Sequence, residues 1–219
     1  QKLLYDCGTT IFDALDLQGF SPMDIDKVFI SHIHGDHSAG LEMMGFRTYY
    51  GTQPFGDKKL EVISSKTVID KLWENQLSGS MTTVEDIDDV NFETFFKRFN
   101  VPNSINSSNL MEFNFDGLAL KPISTKHTTK MESYGLFIKD HKVLITGDTN
   151  FTQEHLDLYY KEAKVIFQDC EFKEYDGGYH AQFRQLKKLP IEIKEKMYKI
   201  FPFFKIDTKY VLKIKLDIK

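Results

Sequence analysis

The stretch Lys27-Val28-Phe29-Ile30-Ser31-His32-Ile33-His34-Gly35-Asp36-His37 decides how this chain is read. Its first five residues are β-branched and aromatic through the middle, the composition of a buried strand. Ser38-Ala39-Gly40-Leu41 then opens a helix. His32, His34, Asp36 and His37 therefore stand on a loop at the carboxyl end of a strand. There the backbone can turn four side chains toward one point without breaking a hydrogen-bond ladder. Neutral imidazole and carboxylate are the donors that Zn²⁺, Mn²⁺ and Fe²⁺ accept. Four of them in so short a run exceed what one cation with an open position uses, so the motif predicts a two-metal site.

Further polar residues recur at the ends of apolar runs. His127 follows Leu118-Ala119-Leu120-Lys121-Pro122-Ile123-Ser124-Thr125. Asp148 follows Lys142-Val143-Leu144-Ile145-Thr146 inside Gly147-Asp148-Thr149, and His180 closes Gly177-Gly178-Tyr179-His180 before a helical stretch from Ala181 to Leu186. Taken alone, His127 is more often a core or surface histidine, and Asp148 could equally be a turn or cap residue. Their order and context make them candidates for the same site as the first motif.

Together these motifs resemble the metallo-β-lactamase fold superfamily of hydrolases, nearest to its ribonuclease Z-like phosphodiesterase branch. The likeness runs from Leu3-Leu4-Tyr5-Asp6-Cys7-Gly8, similar to that family's strand ending in Asp-Cys-Gly, to about Leu186. In overall form the chain is most similar to the compact phage enzymes that destroy cyclic nucleotide second messengers, the anti-Pycsar and anti-CBASS type. The resemblance implies an α/β fold of the αββα sandwich kind, two β-sheets packed together with helices outside. It implies His32, His34 and His127 around one metal, Asp36 and His37 around a second, and Asp148 bridging the two. Zinc leads as the identity of both cations, with manganese or iron as alternatives. Asp36 would also orient the nucleophile, and His180 would donate a proton with Asp169 or Glu171 behind it. Tyr134, or a phenylalanine of the 78–109 segment, would wall the substrate.

Two departures from the family pattern matter. The chain starts at Gln1, almost at Asp-Cys-Gly, where relatives have one or two earlier strands, so N-terminal strands are expected to be missing. No histidine follows His180, although that branch carries a last ligand after a C-terminal helix, and residues 190–198 read as that helix. Either His180 takes the vacant position or the second metal has fewer protein ligands.

Composition narrows the class. The 219 residues suit one domain, 1–219, and 41% hydrophobic with 27% charged residues is the balance of a soluble globular chain. No apolar run reaches the 18 residues of a membrane span. The two cysteines, Cys7 and Cys170, make no disulfide framework, and a reduced, cytoplasmic protein is the economical expectation. The net charge of −4 conceals an asymmetry: residues 187–219 carry 10 lysines against four acidic residues, and residues 1–186 carry 18 basic against 28 acidic ones. Lys209, Lys213 and Lys215 alternate with apolar neighbours, which reads as a solvated edge strand before it reads as a nucleic-acid surface.

Elsewhere the pattern predicts helices over 11–17, 38–50 and 66–78, and strands over 59–65, 110–115 and 117–125. A hairpin joins 133–138 to 142–146 with the exposed His141 at its tip, and His155 on a helix is packed or solvated. Phe92, Phe95, Phe96 and Phe99 keep the spacing of an amphipathic helix. They bury against this domain or, as an insertion or cap over 78–109, dock on a second copy; a homodimer is expected on that ground. The expected activity is metal-dependent hydrolysis of a small cyclic nucleotide. The alternatives are a transfer RNA 3′-processing nuclease of the same fold and a catalytically weak nucleotide-binding protein. The resemblance also bears on that choice. The tRNA-processing relatives carry a long arm between the third histidine and the Gly-Asp-Thr aspartate, whereas His127 and Asp148 stand 21 residues apart.

Overall fold

The apolar strand before the histidine motif forms as Lys27–Phe29, second in a sheet of four parallel strands. The computed structural model of the protein describes residues 1–84, 87–104, 109–172 and 178–200. In chain order its first half holds β1 (Leu3–Tyr5), α1 (Ile11–Leu17), β2 (Lys27–Phe29), α2 (Gly35–Ser38), α3 (Leu41–Tyr50), β3 (Leu60–Ser64), α4 (Lys66–Leu72), α5 (Ser78–Met81), α6 (Phe92–Phe95) and β4 (Phe96–Asn100). The second half holds β5 (Phe113–Phe115), β6 (Leu118–Ser124), β7 (Tyr134–Ile138), β8 (Val143–Ile145), α7 (Gln153–His155), β9 (Val165–Asp169), α8 (Phe183–Leu186), α9 (Ile191–Lys194) and β10 (Met197–Ile200). Short π-helical turns at Trp73–Leu77 and Leu156–Tyr160 extend α4 and α7.

The first sheet runs β1-β2-β3-β4, parallel throughout, so every strand ends at the same edge. In open parallel sheets that edge is where ligands bind. Asp6, Ser31 and Ser65 leave β1, β2 and β3 there. The second sheet runs β10-β9-β8-β7-β6-β5. Its β7 is antiparallel to both β6 and β8, and β9 is parallel to β8, so β6, β8 and β9 also point one way. Their ends lead to His127, Asp148 and Asp169. The two edges are tied together: the Tyr5 hydroxyl donates to the Tyr134 carbonyl at 2.8 Å, and the Tyr134 N–H donates to the Ser31 carbonyl at 3.2 Å.

One core fills the space between the sheets and reaches the helices outside the first, with Phe29 stacked on Phe113 at 6.3 Å. A second lies on the far face of the second sheet, under Tyr160, Leu186 and Ile193. β7 serves both: Tyr134, Leu136 and Ile138 face the first core and Phe137 the second. Burial on both faces is why this strand reads as an unbroken apolar run. The chain thus forms the expected sandwich of two sheets between helical layers.

Several local expectations change. The helix expected through Phe92–Phe99 ends at Phe95, and Phe96–Asn100 pairs with β3 as an edge strand, Leu60 opposite Phe96. Phe92, Phe95 and Phe96 are buried in the chain's own core and Phe99 packs half-buried against it, so three of the four rings present no face to a second copy. The helix expected over 190–198 is the single turn of α9, followed by β10 pairing with β9; Tyr198 stacks on Phe167 at 5.4 Å, and that packing overrides helical propensity. The 38–50 helix breaks at Ala39-Gly40, where the Gly40 N–H donates to the Cys7 carbonyl at 2.8 Å in place of a carbonyl one turn back. The hairpin at Asp140-His141 forms, with His141 exposed. The lysine-alternating 209–216 stretch lies outside the described residues. Among them, no helix is long and apolar enough to cross a membrane.

Candidate metal centre

Six of the expected residues meet where the two sheet edges join. His32, His34, His127 and Asp148 each bring a donor atom within 4.8 Å of the others, and so do Asp36, His37 and Asp148. Asp148 belongs to both groups, with its oxygens divided between them: Oδ1 lies 3.3 Å from His37 Nε2, and Oδ2 lies 3.6 Å from His127 Nε2 and 4.0 Å from His32 Nε2. Gly147 makes this placement possible. It adopts φ +59°, and a Cβ there would stand 2.4 Å from the Tyr5 hydroxyl.

The hydrogen bonds behind the histidines fix their tautomers. Asp6 accepts from the Ser31 N–H at 2.7 Å and from the Ser31 hydroxyl at 2.8 Å. With its proton given to Asp6, the Ser31 oxygen accepts from His32 Nδ1 at 2.9 Å, which leaves the His32 Nε2 lone pair facing inward. His127 Nδ1 donates to the Tyr179 carbonyl at 3.1 Å, so a ring carrying that one proton turns a bare Nε2 inward. Both nitrogens stand 3.1 Å from His34 Nδ1, which carries one proton at most. Two lone pairs cannot both be satisfied by that proton. The spacing is near the ~3.3 Å edge of a tetrahedron drawn at ordinary zinc–nitrogen lengths. The donor set fits a divalent cation.

Electrostatics divides the two groups. Burial, followed by repulsion from His37, drives the His32 pKa down to about 2, and burial with His127 lowers that of His34. Both rings are held neutral, as ligands must be. His37 goes the other way: burial opposes its charge, but Asp6 and Asp148 outweigh it and push the pKa up to about 11. Its Nδ1 lies 2.7 Å from Asp6 Oδ2. Burial raises the cost of charge on Asp148 too, yet His37 holds that carboxyl well below the usual range. The half of the site containing Asp36, His37 and Asp148 is thus a place where carboxylates call for positive charge.

His180 stands beside this pair. Its Nδ1 is 2.8 Å from Asp169 Oδ2 and 3.8 Å from Asp148 Oδ2, and the three residues form a third group of donors. Of the two acidic partners expected, Asp169 makes the contact, while the charge of Glu171 also favours a proton on His180. Burial works against that proton, but the Asp169 bond outweighs it and the pKa is raised. Asp169 is oriented by the Thr149 N–H at 2.9 Å. Tyr134 differs from expectation. Its ring is 3% exposed and its hydroxyl donates to Glu132 at 2.9 Å, so it presents no wall to a substrate. His155 is a core residue donating to the Ser124 carbonyl at 3.1 Å, and both cysteines are buried and unpaired.

Sequence reasoning passed over Asp6 as a site residue. The one signal was its position, a carboxylate directly after an apolar strand like the candidate ligands themselves. Asp6 takes φ +62°, a left-handed conformation that aspartate tolerates better than most residues. The Cys7 N–H donates to the His37 carbonyl at 2.7 Å, and a Cβ on Gly8 would lie 1.8 Å from the Asp36 carbonyl oxygen. Asp-Cys-Gly is therefore the floor on which the ligand loop rests.

Comparison with known proteins agrees with this architecture. The chain is similar to the metallo-β-lactamase fold protein YhfI from Bacillus subtilis, with a TM-score of 0.66 at 18% identity over 93% of this chain and 75% of that one. It is also similar to the short form of human tRNase Z, with a TM-score of 0.62 at 16% identity over 91% and 81%. Those likenesses establish the metallo-β-lactamase fold. Sequence relatives are nearer. An anti-Pycsar protein Apyc1 from Paenibacillus harenae is 34% identical over 90% of this chain and 76% of its own length, and one from Bacillus phage BSP38 is 28% identical over the same shares. The family pattern described as anti-Pycsar protein Apyc1 matches residues 1–201, and the chain belongs to that family.

Proposed function

We propose that the protein is a dinuclear metal-dependent phosphodiesterase that opens a cyclic nucleotide. One observation carries the proposal: the two oxygens of Asp148 face two separate groups of donors, 3.3 Å from His37 and 3.6 Å from His127. His32, His34 and His127 would hold one cation, Asp36 and His37 the other, with Asp148 between them. Two divalent cations, when bound, lower the pKa of a water toward neutrality and neutralise charge developing on the phosphoryl oxygens.

The remaining chemistry belongs to the chain. Asp36, with its side chain half-exposed beside His37, orients the attacking water and takes its proton. Water oxygen bonds to phosphorus as the ester oxygen leaves. His180 protonates that leaving oxygen. With Nδ1 donating to Asp169, the transferable proton is the one on Nε2, and the raised pKa keeps it in place near neutral pH. Burial of Asp169 and Asp148 behind the histidines excludes bulk water from this relay.

A small substrate is supported by the interval between His127 and Asp148, which holds only the β7–β8 hairpin, so no arm for gripping a tRNA body is present there. The relatives' anti-Pycsar name supports a role against second-messenger antiphage signalling. The test is to load the protein with zinc or manganese and measure metal stoichiometry. Turnover of cyclic mononucleotides, cyclic dinucleotides, pre-tRNA and bis(p-nitrophenyl) phosphate is then compared. Two metals with turnover of a cyclic nucleotide support the proposal. Cleavage of pre-tRNA alone returns the processing nuclease, and tight cyclic nucleotide binding without turnover returns the binding protein.

A further inference from the structure

Of the aromatic residues that the sequence offered as a wall for the substrate, all but the half-buried Phe99, which packs against the core, are buried. Tyr134 is 3% exposed, and Phe92, Phe95 and Phe96 are at most 1% exposed. Tyr179 is not. It is 54% exposed, and among the described residues it is the exposed aromatic whose ring contacts a candidate metal ligand. Two independent contacts set its position. Its carbonyl accepts from His127 Nδ1 at 3.1 Å, and its ring centroid lies 6.3 Å from that of His127 with 78° between the planes. An edge-on contact of this kind fixes the ring without covering both of its faces. The next residue is His180, whose Nδ1 is 2.8 Å from Asp169. Tyr179 thus stands one imidazole away from the point on which His32, His34 and His127 converge, on the side of the proposed proton donor.

We infer that the ring of Tyr179 is the face on which the nucleobase of the substrate stacks, a specificity-determining contact that ranks substrates by their base. The inference rests on the cyclic nucleotide reading of the site. The placement supports it: the base of a cyclic nucleotide lies one sugar away from the phosphate, and this half-exposed ring packs beside the His127 imidazole, whose Nε2 faces the other candidate ligands. Every base has a π-face, and stacking of a base on an aromatic side chain changes affinity by ~5- to 150-fold. Because the carbonyl that orients His127 is backbone, replacing the side chain leaves that bond to be made by any residue at 179. The ring and the metal ligand can therefore be separated by mutation.

The experiment compares wild type, Tyr179→Phe and Tyr179→Leu, all zinc-loaded with metal content checked. The substrates are the cyclic mononucleotides of adenine, guanine, cytosine and uracil, and ethyl p-nitrophenyl phosphate, a diester without a base. Calorimetric binding of the same nucleotides runs alongside. Tyr179→Phe should keep the wild-type KM. Tyr179→Leu should raise KM for the nucleotides ~5- to 150-fold, well beyond its effect on the base-free diester, with kcat changed far less, and should flatten the ranking among bases. An unchanged nucleotide KM overturns the inference. So does an equal rise for the base-free diester, which would assign the side chain to support of His127. If nucleotides bind without being hydrolysed, the enzymatic reading falls and stacking is judged by the dissociation constants. If wild type cleaves the base-free diester but neither binds nor cleaves any nucleotide, both readings fall.

Discussion

Asp6 stands behind both groups of candidate metal donors, reaching His37 directly and His32 through Ser31, and Asp6→Asn tests its role without disturbing the backbone. Asparagine tolerates the φ of +62° found here, whereas alanine would add about 1–2 kcal/mol of left-handed strain. In the native site one carboxylate accepts three hydrogen bonds, from the Ser31 N–H at 2.7 Å, the Ser31 hydroxyl at 2.8 Å and His37 Nδ1 at 2.7 Å. An amide has one oxygen. If that oxygen keeps the His37 side, the new NH₂ opposes the Ser31 N–H. If it flips, the NH₂ faces His37 Nδ1 and drives the proton to Nε2, the atom turned toward Asp148. The first arrangement sets donor against donor, and the second turns a proton toward Asp148 in place of the lone pair that a metal would need. Loss of such outer partners weakens metal affinity ~10- to 100-fold, about 1.4–2.8 kcal/mol. The weaker, three-donor group around His37 should bear most of it, and His32, reached through Ser31, less. Zinc titration against a competing chelator reads both affinities, with a thermal melt to check the fold. Two zinc affinities within twofold of wild type, on a folded variant, would refute the account of how Asp6 orders the site.

Other expectations follow from single contacts. His180→Ala should retain both metals and lower kcat by ~10²–10⁴, as for loss of a general acid, whereas loss of one metal would show that His180 is a ligand. Gly8→Ala places a Cβ 1.8 Å from the Asp36 carbonyl oxygen, so the ligand loop must shift; the variant should unfold at least ~1–3 kcal/mol more easily and bind metal poorly, and a wild-type melt would contradict this. Burial lowers the pKa of His155 below that of an unfolded histidine, ~6.5, so the unfolded chain gains a proton first as pH falls. The stability advantage of wild type over His155→Leu should therefore be full above about pH 6.5 and shrink toward pH 5.5 in urea melts, and a constant gap would count against it.

The fold was legible where burial and chemistry agree. The alternation in Phe113-Asn114-Phe115, the unbroken apolar run of β7 and the turn at Asp140-His141 each carry one signal that tertiary packing does not contest. Legibility failed at Phe96–Asn100 and Met197–Ile200. In the first, phenylalanine spacing fits a helix for one turn, and then parallel pairing with Leu60–Ser64 claims the backbone instead. In the second, an apolar segment after a short helix is drawn onto the free edge of β9. Sheet edges are long-range partners, and nothing local in these segments announces them.

The same division runs through the site. A ligand must be a histidine or a carboxylate and must leave a strand end, so His32, His34, Asp36, His37, His127 and Asp148 stand out by type and position together. The residues that aim them need only a hydrogen-bonding atom in the right place. Ser31 acts through one hydroxyl, Tyr179 through a backbone carbonyl that every residue has, and Asp6 through a carboxylate 26 residues before the first histidine. The reverse error has the same cause. Tyr134 has the right chemistry for a substrate wall and the right distance in sequence, but it sits on the strand face that closes on the first sheet, where its hydroxyl is spent on Glu132. Which face a strand residue takes is fixed by what packs on it, so orientation, more than residue type, separates the contacts that sequence can propose from those that only the folded edge assembles.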